Sequence, residues 1–189
     1  SVITPSLILD ELRQAIIQAL KQSADNNSQK DGMDMSLVSI NMKTLECQWA
    51  GANNPLYIFR PNTNSLPFEI TDENKQKTLE HSNGIFLEAK QDRMPVAIHT
   101  YINPFSNHKL QLNKGDRLYL FSDGIVDQFG GPNQQKFMSK NLKNLIMETG
   151  NINIFEQGIQ IREKFEEWVN PSGKKIDQID DVTFIGFEV

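Results

Sequence analysis

The sequence predicts an α+β fold in which two packed antiparallel β-sheets are flanked by helices. One helix-like segment comes first, several strand-like segments follow, and two more helical segments precede a last strand. Helices and strands do not alternate, which argues against a parallel βαβ sheet. A length of 189 residues with 38% hydrophobic content suits a globular chain with a real core. We therefore expect a single domain over residues 1–189.

The first third of the chain predicts a helix followed by strands. Thr4 is a good N-cap, Pro5 suits the first helical position, and apolar residues then recur at helical spacing. Residues 33–42 and 45–50 are rich in apolar and β-branched side chains on either side of a turn, which predicts an antiparallel hairpin. Residues 56–60, L-Y-I-F-R, predict the next strand.

The middle of the chain is less regular. Residues 66–71 predict an edge strand, whereas residues 72–94 are polar and predict a short helix or a loop. Residues 95–100 and 108–112 predict two short strands. Residues 117–122, R-L-Y-L-F-S, form a clear apolar strand that leads into Asp123-Gly124.

Two helices and a strand are predicted after the Gly130-Gly131-Pro132 breaker. The first helix should stop at Gly150, and Asn153 should cap the second. The apolar residues predicted on one face of that second helix are Phe155, Ile159, Phe165 and Trp168. The closing strand is apolar on both sides, so we expect it to be covered on both.

Composition and charge exclude several classes of protein. The net charge is -5 and the basic residues are scattered, so no nucleic-acid surface is predicted. No apolar run approaches the roughly 20 residues of a membrane span. Cys47 is the only cysteine, which excludes a disulfide framework and a thiolate metal cluster. A cytosolic or cytosol-facing domain is the resulting expectation.

Carboxylates stand at two complementary strand ends. Asp123 follows one strand, and Asp180 and Asp181 precede the last one. If these strands are antiparallel neighbours about 4.8 Å apart, the acids meet at one sheet edge. Such a cluster fits a hard divalent ion such as Mg²⁺ or Mn²⁺. Asp-Gly after a strand is also an ordinary turn signal, so residue types alone leave both interpretations open.

Five motifs resemble the PPM/PP2C-like serine/threonine phosphatases, most closely the SpoIIE/RsbU type of bacterial signalling. They are D-G-M-D-M-S-L, A-G-A-N-N-P-L-Y-I, D-R-M-P-V, G-D-R-L-Y-L-F-S-D-G-I-V-D-Q-F-G-G and Q-I-D-D-V-T-F-I-G. The resemblance implies a β-sandwich of two antiparallel sheets with flanking helices. It also implies hydrolysis of phosphoserine and phosphothreonine by a water that two Mn²⁺ or Mg²⁺ ions activate, without a catalytic nucleophile from the protein.

The resemblance also implies roles for particular residues. Asp123 and Asp180 match metal ligands, Gly124 contributes through its backbone, and Asp127 matches an accessory metal position. Residues in supporting positions around these ligands are Asp181 and Asp34. The family's early D-x-T-G-H-G motif, which carries another metal acid, does not occur in the sequence. The chain therefore resembles an N-terminally truncated domain, for which we expect weak metal binding and little turnover.

Partners and location follow from the same resemblance. The expected substrate is a phosphorylated regulatory protein, and an upstream sensor domain is expected in the full-length protein. We expect a cytoplasmic location, with the alternative that this is the cytoplasmic domain of a membrane-anchored sensor, and no contact of the domain itself with membrane or nucleic acid. Exposed sheet edges also suggest a homodimer. A non-catalytic PP2C-like module that binds a protein partner is the alternative function.

Overall fold

The computed structural model describes residues 3–22, 31–61, 76–100, 102–173 and 176–189. Contacts within the chain define two compact units. The first is built from the described residues of 1–56, 68–77 and 88–114, and the second from those of 57–67, 78–87 and 115–189. The edge strand predicted at residues 66–71 lies outside the described residues. The expected single domain remains a prediction.

The first unit contains a helix and a three-stranded antiparallel sheet. Helix α1 spans Pro5–Ala19 and begins as predicted, with Thr4 before it. The strands, in sheet order, are β1 (Met35–Ile40), β2 (Glu46–Ala52) and β6 (His108–Gln111). The β1–β2 hairpin is confirmed, with Met35 opposite Ala52. One cluster of buried side chains in this unit's core consists of Leu9, Ala50, Ala52, Met94, Val96 and Phe105.

A five-stranded sheet lies mainly in the second unit. Its strands are β3 (Leu56–Pro61), β4 (Gln76–His81), β5 (Gly84–Ala89), β7 (Arg117–Phe121) and β10 (Phe184–Glu188). The order is β10-β7-β3-β5-β4, and β10 pairs with β7 in antiparallel register. Within the described residues, β10 is therefore an edge strand. Ile185 is 52% exposed, so the prediction that both sides of the last strand are covered is wrong at that position.

Two predictions for the middle of the chain are wrong. A helix or loop was expected over residues 72–94, yet β4 and β5 form there. β4 lies at the other edge of the sheet and carries one strongly apolar side chain, Leu79, so its sequence lacks the usual strand pattern. Residues 95–100 are all described but form no strand, and Val96 makes an isolated bridge with Met33 instead.

Helices cover the second unit. They are α2 (Gly124–Asp127), α3 (Met138–Glu148) and α4 (Ile154–Val169), with a two-stranded ribbon of β8 (Phe129–Gly130) and β9 (Gln135–Lys136) between α2 and α3. The core of this unit includes Tyr57, Phe59, Phe86, Tyr119, Phe121, Ile125, Phe137, Leu142, Ile146, Met147 and Ile161. None of the described helices is both long and apolar enough to cross a bilayer.

The buried face of α4 matches the predicted one at Phe165 and Trp168, which pack against the core, and differs from it in the first half of the helix. Phe155 is 81% exposed and Ile159 is 48% exposed, whereas Gln157 is fully buried. The Gln157 amide accepts a hydrogen bond from the Tyr119 hydroxyl and donates one to the Thr149 hydroxyl, so its burial leaves these polar atoms satisfied. The polar residue therefore turns inward and two apolar residues turn outward. The apolar pattern alone misplaced the face only at Phe155 and Ile159.

The cap of α4 gives a first prediction. Asn153 accepts a hydrogen bond from the Phe155 backbone N–H at 2.9 Å, as expected for an N-cap. Asn153→Ala should lower the free energy of unfolding by about 1 kcal/mol, which corresponds to a fall in Tm of about 2–4 °C. Asn144→Ala, at an exposed position inside α3, is the matched control and should leave Tm unchanged or slightly raised. Equal losses in the two variants would contradict the capping role.

Candidate metal centre

The predicted meeting of two strand ends is present in the structure. Phe184 at the start of β10 stands opposite Phe121 at the end of β7. One step further, the Ser122 backbone N–H donates to the Thr183 carbonyl at 3.0 Å. The antiparallel ladder therefore runs past the ends of both strands, toward Asp123 on one side and Asp181 on the other.

Gly124 allows the two acidic segments to touch. A Cβ atom at this position would lie 2.4 Å from the Asp181 carbonyl oxygen and 3.5 Å from the Asp180 carbonyl carbon. The first separation is a collision with backbone, whereas the second is an ordinary van der Waals contact. The absence of a side chain at Gly124 is therefore what lets the start of α2 pack on the residues before β10. Its predicted backbone contact with a metal ion remains a prediction.

The acids at this edge are exposed, and one carboxylate is oriented by the backbone. Asp123, Asp180 and Asp181 all lie on the surface. The Asp180 Oδ1 atom accepts a hydrogen bond from the Asp181 backbone N–H at 2.7 Å, and the Gln178 side chain donates to the Asp180 carbonyl at 2.7 Å. The first bond orients the Asp180 carboxylate relative to its own backbone, and the second holds the Asp180 carbonyl.

Asp127 is held by a cation that the sequence analysis did not identify. The Lys136 ammonium lies 3.1 Å from Asp127 Oδ2, and both side chains are about half exposed. An ion pair this accessible contributes at most about 1 kcal/mol. The accessory metal role of Asp127 remains a prediction, and an ion at this position would have to compete with the Lys136 ammonium.

Asp34 belongs to the first unit, unlike the other predicted residues. Its Oδ1 atom accepts a hydrogen bond from the Asn53 side-chain amide at 2.8 Å. Asn53 itself has a positive φ of 55°, which a turn-forming asparagine tolerates well. The contacts of Asp34 are thus those of a loop-stabilising residue, and its supporting role at the metal centre stays a prediction.

Two uncharged side chains hold the segment that carries Asp180. The Ser122 hydroxyl donates to the Asp181 carbonyl at 2.8 Å and accepts from the Thr183 backbone N–H at 2.9 Å. The fully buried Gln128 side chain bonds the same segment further upstream. Sequence reasoning gave Gln128 no role, because a glutamine after D-G-I-V-D carries no pattern that distinguishes it from a surface residue.

The donor set has the chemistry of a hard-cation site but is small. Asp123 and Asp180 offer carboxylate oxygens, the ligands that Mg²⁺ and Mn²⁺ prefer. Within the described residues, neither of them forms an ion pair with a basic side chain. Over the same part of the chain, no three His, Cys, Asp or Glu side chains come together in a group that could hold a metal ion. The two acids therefore fit as part of a site.

Two solved structures share this fold. The SiaA-PP2C domain of Pseudomonas aeruginosa superposes with a TM-score of 0.71 at 22% identity, covering 98% of this chain and 61% of that one. The phosphatase domain of the cell fate determinant SpoIIE from Bacillus subtilis gives a TM-score of 0.51 at 15% identity, covering 100% of this chain and 75% of that one. At these identities the likeness shows the fold, and it confirms the predicted α+β class.

The family is shown by the sequence itself. Residues 2–189 match the family described as Stage II sporulation protein E (SpoIIE). A comparison with curated proteins gives no significant match. The chain spans 61% of the length of the SiaA-PP2C structure. Together with the antiparallel sheets and flanking helices, the family match leads to one conclusion: this chain belongs to the SpoIIE family of PP2C-like phosphatases.

Proposed function

We propose that this chain is a metal-dependent protein phosphatase domain that hydrolyses phosphoserine or phosphothreonine on a regulatory protein. The observation that supports this most directly is the meeting of the Asp123 and Asp180 segments at one sheet edge, where Gly124 packs against Asp181. In this proposal Asp123 and Asp180 hold Mn²⁺ or Mg²⁺. Bound divalent ions would supply an activated water and neutralise the phosphoryl oxygens.

The protein's own nucleophiles fit a mechanism in which water attacks. The Ser122 hydroxyl beside Asp123 already donates to one backbone group and accepts from another, and no basic side chain is among these partners. Burial raises the pKa of the Cys47 thiol to about 12, so this cysteine stays protonated and unreactive near neutral pH. Neither residue is therefore a good candidate for a phosphate acceptor, which agrees with the proposed attack by water.

The remaining parts of the proposal rest on the family resemblance. We propose a phosphorylated regulatory protein in the cytoplasm as substrate, an upstream sensor as the source of regulation, and a homodimer as the assembly. One observation favours a different function. Because the described residues bring no three metal-binding side chains together, a non-catalytic module that binds a protein partner is the second candidate.

Metal dependence separates the two candidates. A phosphothreonine peptide incubated with the chain should be hydrolysed only when Mn²⁺ or Mg²⁺ is added, and EDTA should stop the reaction. We expect half-saturation at about millimolar Mn²⁺ or above, because two carboxylates supply few of the oxygen ligands of a divalent ion. Hydrolysis that persists in EDTA would contradict the metal mechanism. Absence of hydrolysis at every metal concentration would favour the non-catalytic module.

A further inference from the structure

We propose that Gln128 is a positioning residue that holds the Asp180 segment at a fixed separation from Asp123. This inference rests on the function proposed above. Gln128 directly follows α2 and is fully buried. A buried side-chain amide is costly unless its donor and acceptor atoms find partners, so its contacts show what the residue is built to hold.

The Gln128 side-chain amide forms hydrogen bonds with the backbone on both sides of Gln178, just before Asp180. Its Nε2 donates to the Asp177 carbonyl at 3.0 Å and also to the adjacent Phe129 carbonyl at 3.0 Å, and its Oε1 accepts from the Ile179 backbone N–H at 3.3 Å. The side chain thus supplies both a donor and an acceptor to the backbone of a segment that lies outside β10.

Gln128 is itself anchored by its backbone. Its carbonyl accepts hydrogen bonds from the Phe137 backbone N–H at 2.9 Å and from the Trp168 indole N–H at 3.3 Å. Phe137 precedes α3, and Trp168 belongs to α4. The amide therefore projects from a point that two other elements fix, which is what a positioning role requires.

Ser122 provides the second anchor, downstream of Asp180. Its hydroxyl bonds Asp181 and Thr183, whereas Gln128 bonds the residues upstream. Ser122 and Gln128 stand at the two ends of one short stretch that also carries Asp123. Asp180 therefore lies between backbone groups held by Ser122 and by Gln128, and both of these residues belong to the same stretch as Asp123. Loss of the Gln128 contacts should release the residues just before Asp180, while Ser122 still holds the residues just after it.

The test compares two buried glutamines of the second unit. Gln128→Met keeps the approximate size of the side chain and removes its hydrogen bonds. Gln157→Met is the matched control, because Gln157 is equally buried but its amide bonds Arg117, Tyr119, Thr149 and the Ile146 carbonyl, none of them near Asp180 in the chain. Both variants should lose stability by a similar amount, which thermal unfolding measures.

Only Gln128→Met should affect metal binding and local order. Loss of a residue that orients a metal ligand weakens metal binding by about 10-fold or more, and Mn²⁺ titration followed by electron paramagnetic resonance measures this change. Amide hydrogen exchange over residues 177–183 should also accelerate in metal-free Gln128→Met and stay unchanged in Gln157→Met. Equal effects of the two substitutions on both measurements would overturn the positioning role.

The unsubstituted chain provides a test that does not depend on the variant folding. The Ile179 amide should be protected from hydrogen exchange although it lies outside every helix and strand. Rapid exchange of this amide would overturn the inference. This result is independent of the proposed function: a chain that binds no Mn²⁺ but protects Ile179 would reject the metal centre, while the Gln128 contact would stand.

Discussion

Asp180→Asn is expected to lower kcat/KM for a phosphothreonine peptide by about 100-fold or more. The carboxylate is one of the two proposed metal ligands at the meeting strand ends, and the amide that replaces it carries no charge to hold a divalent ion. Charge stabilisation by the metal contributes several kcal/mol to the transition state, and each ~1.4 kcal/mol is a factor of ten in rate. A steady-state assay at saturating Mn²⁺ measures the loss. Asp123→Asn should have an equal effect.

Asp177→Asn is the matched control for this substitution. Asp177 is an exposed acid on the same segment, and the segment is held through the Asp177 carbonyl rather than its carboxylate. The change in net charge is identical, so a general electrostatic effect on substrate binding would appear in both variants. We expect normal activity for Asp177→Asn. If Asp180→Asn also retained normal activity, Asp180 could not be a metal ligand.

Gly124→Ala should produce the second largest effect. The added methyl group would collide with the Asp181 carbonyl oxygen, which is backbone and cannot turn away as a flexible side chain can. Either the acidic segment moves away from α2 or the strain remains, at a cost of about 1–3 kcal/mol for overpacking. We therefore expect a lower Tm and a loss of phosphatase activity that added Mn²⁺ restores only in part.

Gly158→Ala separates this effect from the general consequences of replacing a glycine. Gly158 lies inside α4, and a Cβ atom there would meet nothing within 4 Å. Alanine inside a helix is more favourable than glycine by about 0.5–1 kcal/mol. This variant should raise Tm and retain activity. A Gly124→Ala protein as stable and active as Gly158→Ala would show that the close approach to Asp181 is dispensable.

The meeting of the two strand ends could be predicted because its signals are local. The sequence shows one apolar strand that stops at Asp123 and another that starts after Asp181. Antiparallel pairing of these strands then brings the two acidic ends to the same edge of the sheet. The distribution of helices and most strands follows from the same kind of periodicity. At these positions burial and sequence pattern agree, so local propensity and tertiary packing favour the same secondary structure.

Two of the errors arose where an edge position or tertiary packing overrides the pattern. β4 could not be recognised because an edge strand needs few apolar side chains, and Leu79 alone gives no period. On α4, Phe155 was assigned to the core by its apolarity, while the buried Gln157 was overlooked because its partners come from β7 and from the end of α3. No window of sequence around Gln157 contains that information.

Gln128 and Lys136 were missed for a related reason. Each acts on a residue that the sequence did identify, but the contact is visible only in three dimensions: Gln128 bonds Asp177 across 49 positions of the chain, and Lys136 pairs with Asp127 through the β8–β9 ribbon. Motif matching finds acids that hold metal ions. It does not find the neutral or basic side chains that fix the position of those acids, because their spacing varies with the loops between them.

The pairing of β7 with β10 also has a consequence for how the protein is made. The Ser122–Asp181 hydrogen bond joins residues 59 positions apart, and everything between them is synthesised before β10 can pair. At a typical translation rate of 5–20 residues per second, the nascent chain carries Asp123 for about 3–12 seconds before Asp180 and its strand follow. The two acids of the centre can therefore meet only after the residues of α3 and α4 have been synthesised.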